Sequence, residues 1–266
     1  MKDILVQLDG GEVSPRRLEA ALLLAQRFGA RLTGLFAQKE IDAAALVARR
    51  ASSHLEAAAA ASRQEFEAAL ANAGLVGKFI ALAHGDPGFL LTEVAFCARY
   101  VDLAVVGQGL GDYPQLPEEL VEKTVLESGR PVLVIPRSGA VGPLGQRVAV
   151  AWNASPEASR ALHDSLPLLQ KAEEVTLLSV PRQEAPLPSE LPQMDLLDHL
   201  AAHGVVAKFE RMRAEDIGVM DLLLSRAYDL GADLLVVGAP SASGFGKSSV
   251  TRFLLRHLTL PVLISG

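Results

Sequence analysis

Asp102-Leu-Ala-Val-Val-Gly107 returns 131 residues later as Asp233-Leu-Leu-Val-Val-Gly238. Pro131-Val-Leu-Val-Ile135 returns after 130 residues as Pro261-Val-Leu-Ile-Ser265. Towards the N-terminus, Leu5-Val-Gln-Leu-Asp9 matches Ala149-Val-Ala-Trp-Asn153 at an offset of 144, and Ser14-Pro15 matches Ser155-Pro156 at 141. Self-similarity at a long, nearly constant spacing is the mark of a repeated structural unit. The falling offset means that the first copy is longer before its fourth strand, with three of the extra residues just after Asp9. The chain therefore reads as two copies of one unit, residues 1–138 and 145–266. The joint falls in the Gly- and Pro-containing stretch Arg137–Gln146, which has no hydrophobic periodicity.

Each copy alternates short apolar runs with helical patterns. Strands are expected at 3–8, 31–36, 77–83, 102–107 and 131–136, and again at 147–152, 174–180, 205–210, 233–238 and 261–265. These runs are mostly aliphatic on both faces, as in a parallel sheet covered on both sides. Ser14 is the expected N-cap of the first helix, with Pro15 at its first position and Gly29 ending it at positive φ. A long Ala-rich helix is expected over 41–74, with Val47, Ala51, Leu55, Ala59, Phe66 and Leu70 along one side. Further helices are expected near 88–100, 117–128, 156–171, 193–203, 218–230 and 247–257, and a Pro-rich loop over 181–192. Strict alternation of strand and helix gives the fold class: α/β, two tandem open parallel five-stranded sheets flanked by helices.

Composition narrows the function classes. Half of the 266 residues are hydrophobic and 21% are charged, which excludes a disordered polypeptide. The net charge of −6, with no basic stretch, argues against nucleic-acid binding through phosphate neutralisation. One cysteine, Cys97, excludes an internal disulfide or a CxxC metal site. Placed in a helix among Val94, Phe96 and Ala98, it reads as a buried, inert thiol. The start of the chain has no secretory pattern, and no apolar run approaches the roughly 20 residues that span a bilayer. The expectation is a cytoplasmic protein without membrane insertion.

In open parallel sheets, ligands bind beyond the carboxyl ends of the strands where the strand order reverses. The loops after the first and fourth strands are thus the candidates. They are Asp9-Gly10-Gly11 and Gly107-Gln-Gly-Leu-Gly111 in the first copy. In the second they are Asn153-Ala154-Ser155 and Gly238-Ala-Pro-Ser-Ala-Ser-Gly-Phe-Gly-Lys-Ser-Ser249. A glycine-rich loop that leads into a helix presents backbone N–H groups to an anion. Ser241–Ser248 matches a Walker A loop only without its first glycine and outside the expected context. Asp195, His199 and His203 fall at i, i+4 and i+8 and can share a helix face, but one helix rarely completes a metal site. No metal site is read, and no nucleophile–base pair is visible.

At these residues the sequence resembles the universal stress protein family in its tandem form, over nearly the whole chain. The carrying features are the strands ending in Asp9 and Asn153, the two DLxVVG strands, and the closing Gly129-Arg-Pro-Val-Leu-Val-Ile-Pro136 and Leu260-Pro-Val-Leu-Ile264. The resemblance implies a Rossmann-like, adenine-nucleotide alpha-hydrolase-like fold with strand order 3-2-1-4-5 in each copy. It also implies pairing of the copies through their fifth strands and further association into a homodimer. Nucleotide-binding members hold ATP with an aspartate after strand one and a loop G-x2-G-x9-G-S/T after strand four. This sequence departs from that pattern twice. The first copy keeps Asp9 but follows Gly107 with an acidic helix start at Pro117-Glu118-Glu119. The second has Asn153 for the aspartate, Ser241 for the second glycine, and six residues between Ser241 and Ser248. Asp9 reads equally as a turn or helix cap, whereas Asn153 leans to that structural role. The tentative nucleotide contacts are Asn153, Gly238, Ser241, Gly246, Ser248, Ser249 and Asp9. The implied function is a non-enzymatic stress-response module with degenerate sites, an unidentified protein partner and no required cofactor. The alternative is an ATP-binding switch, with slow hydrolysis at most, using loop 238–249.

Overall fold

A computed structural model describes residues 1–109, 115–139, 142–180, 195–213, 218–239 and 256–266. Five strands fall in the first half: β1 (Asp3–Leu8), β2 (Arg31–Phe36), β3 (Gly77–Ala81), β4 (Leu103–Gly107) and β5 (Val132–Ile135). Five fall in the second: β6 (Arg147–Ala151), β7 (Glu174–Ser179), β8 (Ala207–Arg211), β9 (Leu234–Gly238) and β10 (Val262–Ser265). Each half has the order 3-2-1-4-5, and all pairings within a half are parallel. The fifth strands join antiparallel, Val262 opposite Val134 and Leu263 opposite Leu133, so the halves form one ten-stranded sheet.

The joint explains why the central strands are apolar on both faces. Alternate residues feed two cores, and each core runs across both halves. Leu5, Val106, Val134, Val237 and Val262 lie in one, and Ile4, Val105, Leu133, Val236 and Leu263 in the other. The outer strands differ from expectation. β3 and β8 are mostly exposed, because an edge strand has a neighbour on one side only.

The aspartates that open the repeated DLxVVG motif have a structural role that periodicity does not show. The carboxylate of Asp102 accepts from the backbone N–H groups of Lys2 (2.5 Å) and Asp3 (3.1 Å). That of Asp233 accepts from Gly145 (2.6 Å), Gln146 (2.9 Å) and Arg147 (3.1 Å). Each caps the start of the first strand of its own half. The surroundings push their pKa values in opposite directions. Hydrogen bonding from Lys2 holds the Asp102 carboxyl below its ordinary value, whereas burial raises that of Asp233 despite its backbone donors.

The helices of the first half are α1 (Ser14–Phe28), α2 (Ala43–Val47), α3 (Ser53–Ala73), α4 (Pro87–Ala98) and α5 (Leu120–Ser128). In the second half α6 (Pro156–Leu169), α7 (Leu196–Ala202) and α8 (Val219–Asp229) follow. Gly29 ends α1 in the left-handed conformation, as its position suggests. Ser14 does not cap α1: Val13 occupies the N-cap without a side-chain bond, and the Ser14 hydroxyl accepts from the Asp9 N–H instead. The expected long helix over 41–74 is two helices. Asp42 and Ser52 each cap a separate start, and the buried Glu40 carboxylate holds the break between them. It accepts from the N–H groups of Ile41, Asp42 and Ser52 and from the Ser52 hydroxyl, at 2.8–3.0 Å. Burial alone would raise the Glu40 pKa, but these donors together bring it below the ordinary carboxylate value. As a result Leu55, Phe66 and Leu70 stay in the apolar stripe of α3, while Val47 is left 88% exposed.

Candidate functional site

The strand order reverses between β1 and β4 in the first half and between β6 and β9 in the second, so each half has one crevice at those carboxyl ends. In the first, Asp9 is already engaged. Its Oδ1 accepts from the Gly11 N–H at 2.8 Å, an Asx turn that the Asp-Gly-Gly sequence favours. Its Oδ2 pairs with Arg17 Nη2 at 2.5 Å and accepts from Gln7 Nε2 at 3.2 Å. Arg17 also donates through Nε to the Gln7 carbonyl at 2.9 Å. The side chains of Asp9 and Arg17 are 0% and 1% exposed. The guanidinium lies against Gly107, where an added Cβ would stand 2.5 Å from Nη1. Gly107 therefore serves to admit Arg17. The acidic stretch expected to open a helix at 117 precedes α5, which begins at Leu120.

The second crevice is built differently at the same positions. Ser14-Pro15 and Ser155-Pro156 are in register, so Arg17 corresponds to Ala158, and Asp9 corresponds to Asn153. Both charges of the buried pair are replaced together. Losing one alone would strand its partner without compensation, whereas losing both avoids that cost. Asn153 keeps the Asx turn, its Oδ1 accepting from Ser155 N–H at 3.1 Å. Ser155 caps α6 by accepting from Ala158 N–H at 3.1 Å. The intervening Ala154 has φ of 57°. Gly238 lets the end of β9 approach α6: a Cβ there would lie 2.6 Å from the Ala158 nitrogen.

Where the first half has its ion pair, the second has an open pocket of about 200 Å³. Trp152, Asn153, Ala158, Val180, Met220 and Gly238 are among the residues that line it. Asn153 and Gly238 are thus brought together, and Asp9 is held apart in the other half. The remaining expected contacts, Ser241, Gly246, Ser248 and Ser249, lie outside the described residues, as do most of the expected helix 247–257 and the Pro-rich loop 181–192.

Elsewhere, Cys97 is half-buried in α4, and burial, with Glu93 adding to it, pushes its thiol pKa up. A raised pKa keeps the thiol protonated and unreactive. Among the described residues no helix is long and apolar enough to cross a membrane.

The model of the universal stress protein family matches residues 1–136. A universal stress protein from Archaeoglobus fulgidus DSM 4304 superposes with a TM-score of 0.72 at 16% identity, covering 99% of this chain and 97% of that one. A putative universal stress protein from Pseudomonas aeruginosa UCBPP-PA14 gives 0.61 at 17% identity, over 100% and 93%. A functionally unknown protein from P. aeruginosa PAO1 gives 0.61 at 16%, over 100% and 92%. At these identities the likeness carries the fold. No curated protein matches the sequence.

Proposed function

Because this chain belongs to the universal stress protein family, we propose that it acts without catalysis, as a stress-response regulatory module in the cytoplasm. Its two repeats, 1–138 and 145–266, have diverged in what they bind. The observation that carries this reading is the Asp9–Arg17 pair. A carboxylate that is buried, ion-paired and turn-bonded is committed to the fold rather than presented to a ligand. The first repeat is on this reading a structural unit. Its partners are a second copy of the chain and a further protein that reads the assembled surface.

A second reading rests on the open pocket of the second repeat. A volume of about 200 Å³ is smaller than the roughly 300–1,000 Å³ of sites that enclose whole small molecules. The apolar walls and the Asn153 amide suit a flat heteroaromatic ring, such as the base of an adenine nucleotide, with the remainder lying outside. No cofactor is required on either reading, and ATP is the ligand that the second would add.

A thermal-shift titration with ATP, ADP and AMP, with and without Mg²⁺, separates the two readings. A ligand at about 100 times its dissociation constant adds about 2.7 kcal/mol, or about 5 °C or more in a chain of this size. No shift with millimolar nucleotide favours the ligand-free module. A shift that disappears in Ala158→Arg, which refills the pocket, favours the nucleotide switch. A shift that survives Ala158→Arg but is lost in Asp9→Asn would refute the closed first site.

A further inference from the structure

The second half also brings His163 up to two histidines, His199 and His203, that lie 36 and 40 residues further along the chain. His163 sits on α6, and His199 and His203 lie on α7 and at its C-cap. The ring centroids are 5.1 Å apart for His163 and His199, 4.8 Å for His199 and His203, and 6.3 Å for His163 and His203. All three side chains are exposed, but their helices are anchored beneath them. Leu162 and Leu200, next in sequence to His163 and His199, are each 0% exposed in the same core. Gln170 Nε2 also ties the two elements by donating to the His203 carbonyl at 2.9 Å.

The ring nitrogens are oriented for a ligand. His163 Nδ1 lies 2.7 Å from the Ser159 carbonyl. A carbonyl only accepts, so Nδ1 carries the hydrogen, and in the neutral ring Nε2 keeps its lone pair. This is how imidazole ligands are commonly held in metal sites, the second nitrogen donating to an oxygen. That Nε2 faces His199 Nε2 at 3.1 Å. An ion 2.0–2.1 Å from both nitrogens would close an N–metal–N angle of about 98° across that gap. The value lies between the right angle of square-planar or octahedral coordination and the tetrahedral angle. Without an ion, the contact requires His199 to be the Nε2–H tautomer; with one, the hydrogen moves to Nδ1.

We propose that His163 and His199 form a surface site for a borderline divalent transition-metal ion such as Zn²⁺ or Ni²⁺, with His203 as the third ligand. As they stand, no three such side chains among the described residues are arranged to hold a metal ion. The pair is the formed part, and His203 joins by side-chain rotation, with water completing the shell. Asp195 is not part of the site: its carboxylate caps α7 by accepting from Leu197 N–H at 2.8 Å. Imidazole donors select Zn²⁺, Ni²⁺ or Cu²⁺ over Mg²⁺. The bound ion would clip α7 to α6, the helix whose start forms the wall of the open pocket.

Isothermal titration of the whole chain with Zn²⁺, Ni²⁺ and, as a control, Mg²⁺ tests the site. One-to-one saturation by Zn²⁺ or Ni²⁺ but not by Mg²⁺ is expected. Loss of an outer-shell partner alone costs about 10–100-fold in metal affinity. His163→Gln and His199→Gln, both at exposed positions, should therefore each weaken binding at least about tenfold, and His203→Gln should weaken it less. Cu²⁺ electron paramagnetic resonance should show coupling to at least two imidazole nitrogens. Absence of binding by the unmodified chain, binding undiminished in His163→Gln/His199→Gln, or Cu²⁺ coupled to fewer than two nitrogens would each overturn the proposal. Binding that vanishes in Cys97→Ser would overturn it too, since the thiol would then be the ligand.

Discussion

Asp9→Ala measures whether the first crevice is a structural lock. Among the described residues, the substitution removes the one carboxylate paired with the Arg17 guanidinium, whose buried Nη1 has no hydrogen-bond partner there. The bond from Arg17 Nε to the Gln7 carbonyl survives, but the charge is left uncompensated in a 1% exposed side chain. Breaking a buried pair in this way costs about 3–5 kcal/mol. At about 2–4 °C per kcal/mol for chains of this size, the melting temperature should fall by about 6–20 °C. Thermal melting and urea denaturation followed by circular dichroism would read both quantities. The second half suggests the compensating change, since it carries Asn153 and Ala158 where the first has Asp9 and Arg17. Asp9→Asn combined with Arg17→Met keeps the Asx turn to Gly11 and most of the arginine volume. The double variant should be more stable than Asp9→Ala alone, a non-additivity expected of two directly paired groups. An Asp9→Ala protein melting within about 2 °C of the parent would refute the lock. So would a double variant less stable than Asp9→Ala.

Three further outcomes follow from the same structure. Glu40→Gln should destabilise the chain at neutral pH. Since the folded pKa of Glu40 lies below its ordinary value, the carboxylate's contribution is present above the unfolded pKa and lost as pH falls through the folded one. The gap between parent and variant in melting temperature should therefore shrink on acidification, and a gap that widens would contradict this. Asp102→Asn and Asp233→Asn should show opposite pH slopes in the same assay. Asp102 is lowered, so its contribution grows with rising pH; Asp233 is raised, so its contribution is largest below the unfolded pKa and falls as pH rises through the folded one. Parallel slopes would disprove this pairing. Gly238→Ala forces a Cβ to within 2.6 Å of the Ala158 backbone nitrogen and should cost about 1–3 kcal/mol, read as a lower urea midpoint; an unchanged midpoint would show that α6 yields freely.

The sequence by itself determined the duplication, the alternation of strand and helix, and most strand limits, because these depend on apolar runs and neighbours a few residues apart. Gly29 was legible for the same reason, as a residue that ends a helix through its own backbone freedom. The aspartates of the DLxVVG repeats were visible as a pattern, but their partners, about 100 and 87 residues away, were not. The break in the long helix was hidden because Glu40 reaches twelve residues forward to Ser52, outside any periodic window. Asp9 looked equally like a ligand-holding residue or a turn cap. Only packing α1 against the end of β1 brought Arg17 onto it, and only the same packing in the second half turned Ala158 and Asn153 into the walls of a pocket. The histidines followed the same rule. Two shared a helix by spacing, but the nitrogen facing them came from α6, 36 residues earlier. Side chains that meet within a turn can be read along the chain. Those that meet across elements depend on which faces the two cores bury, and the tertiary structure alone decided that.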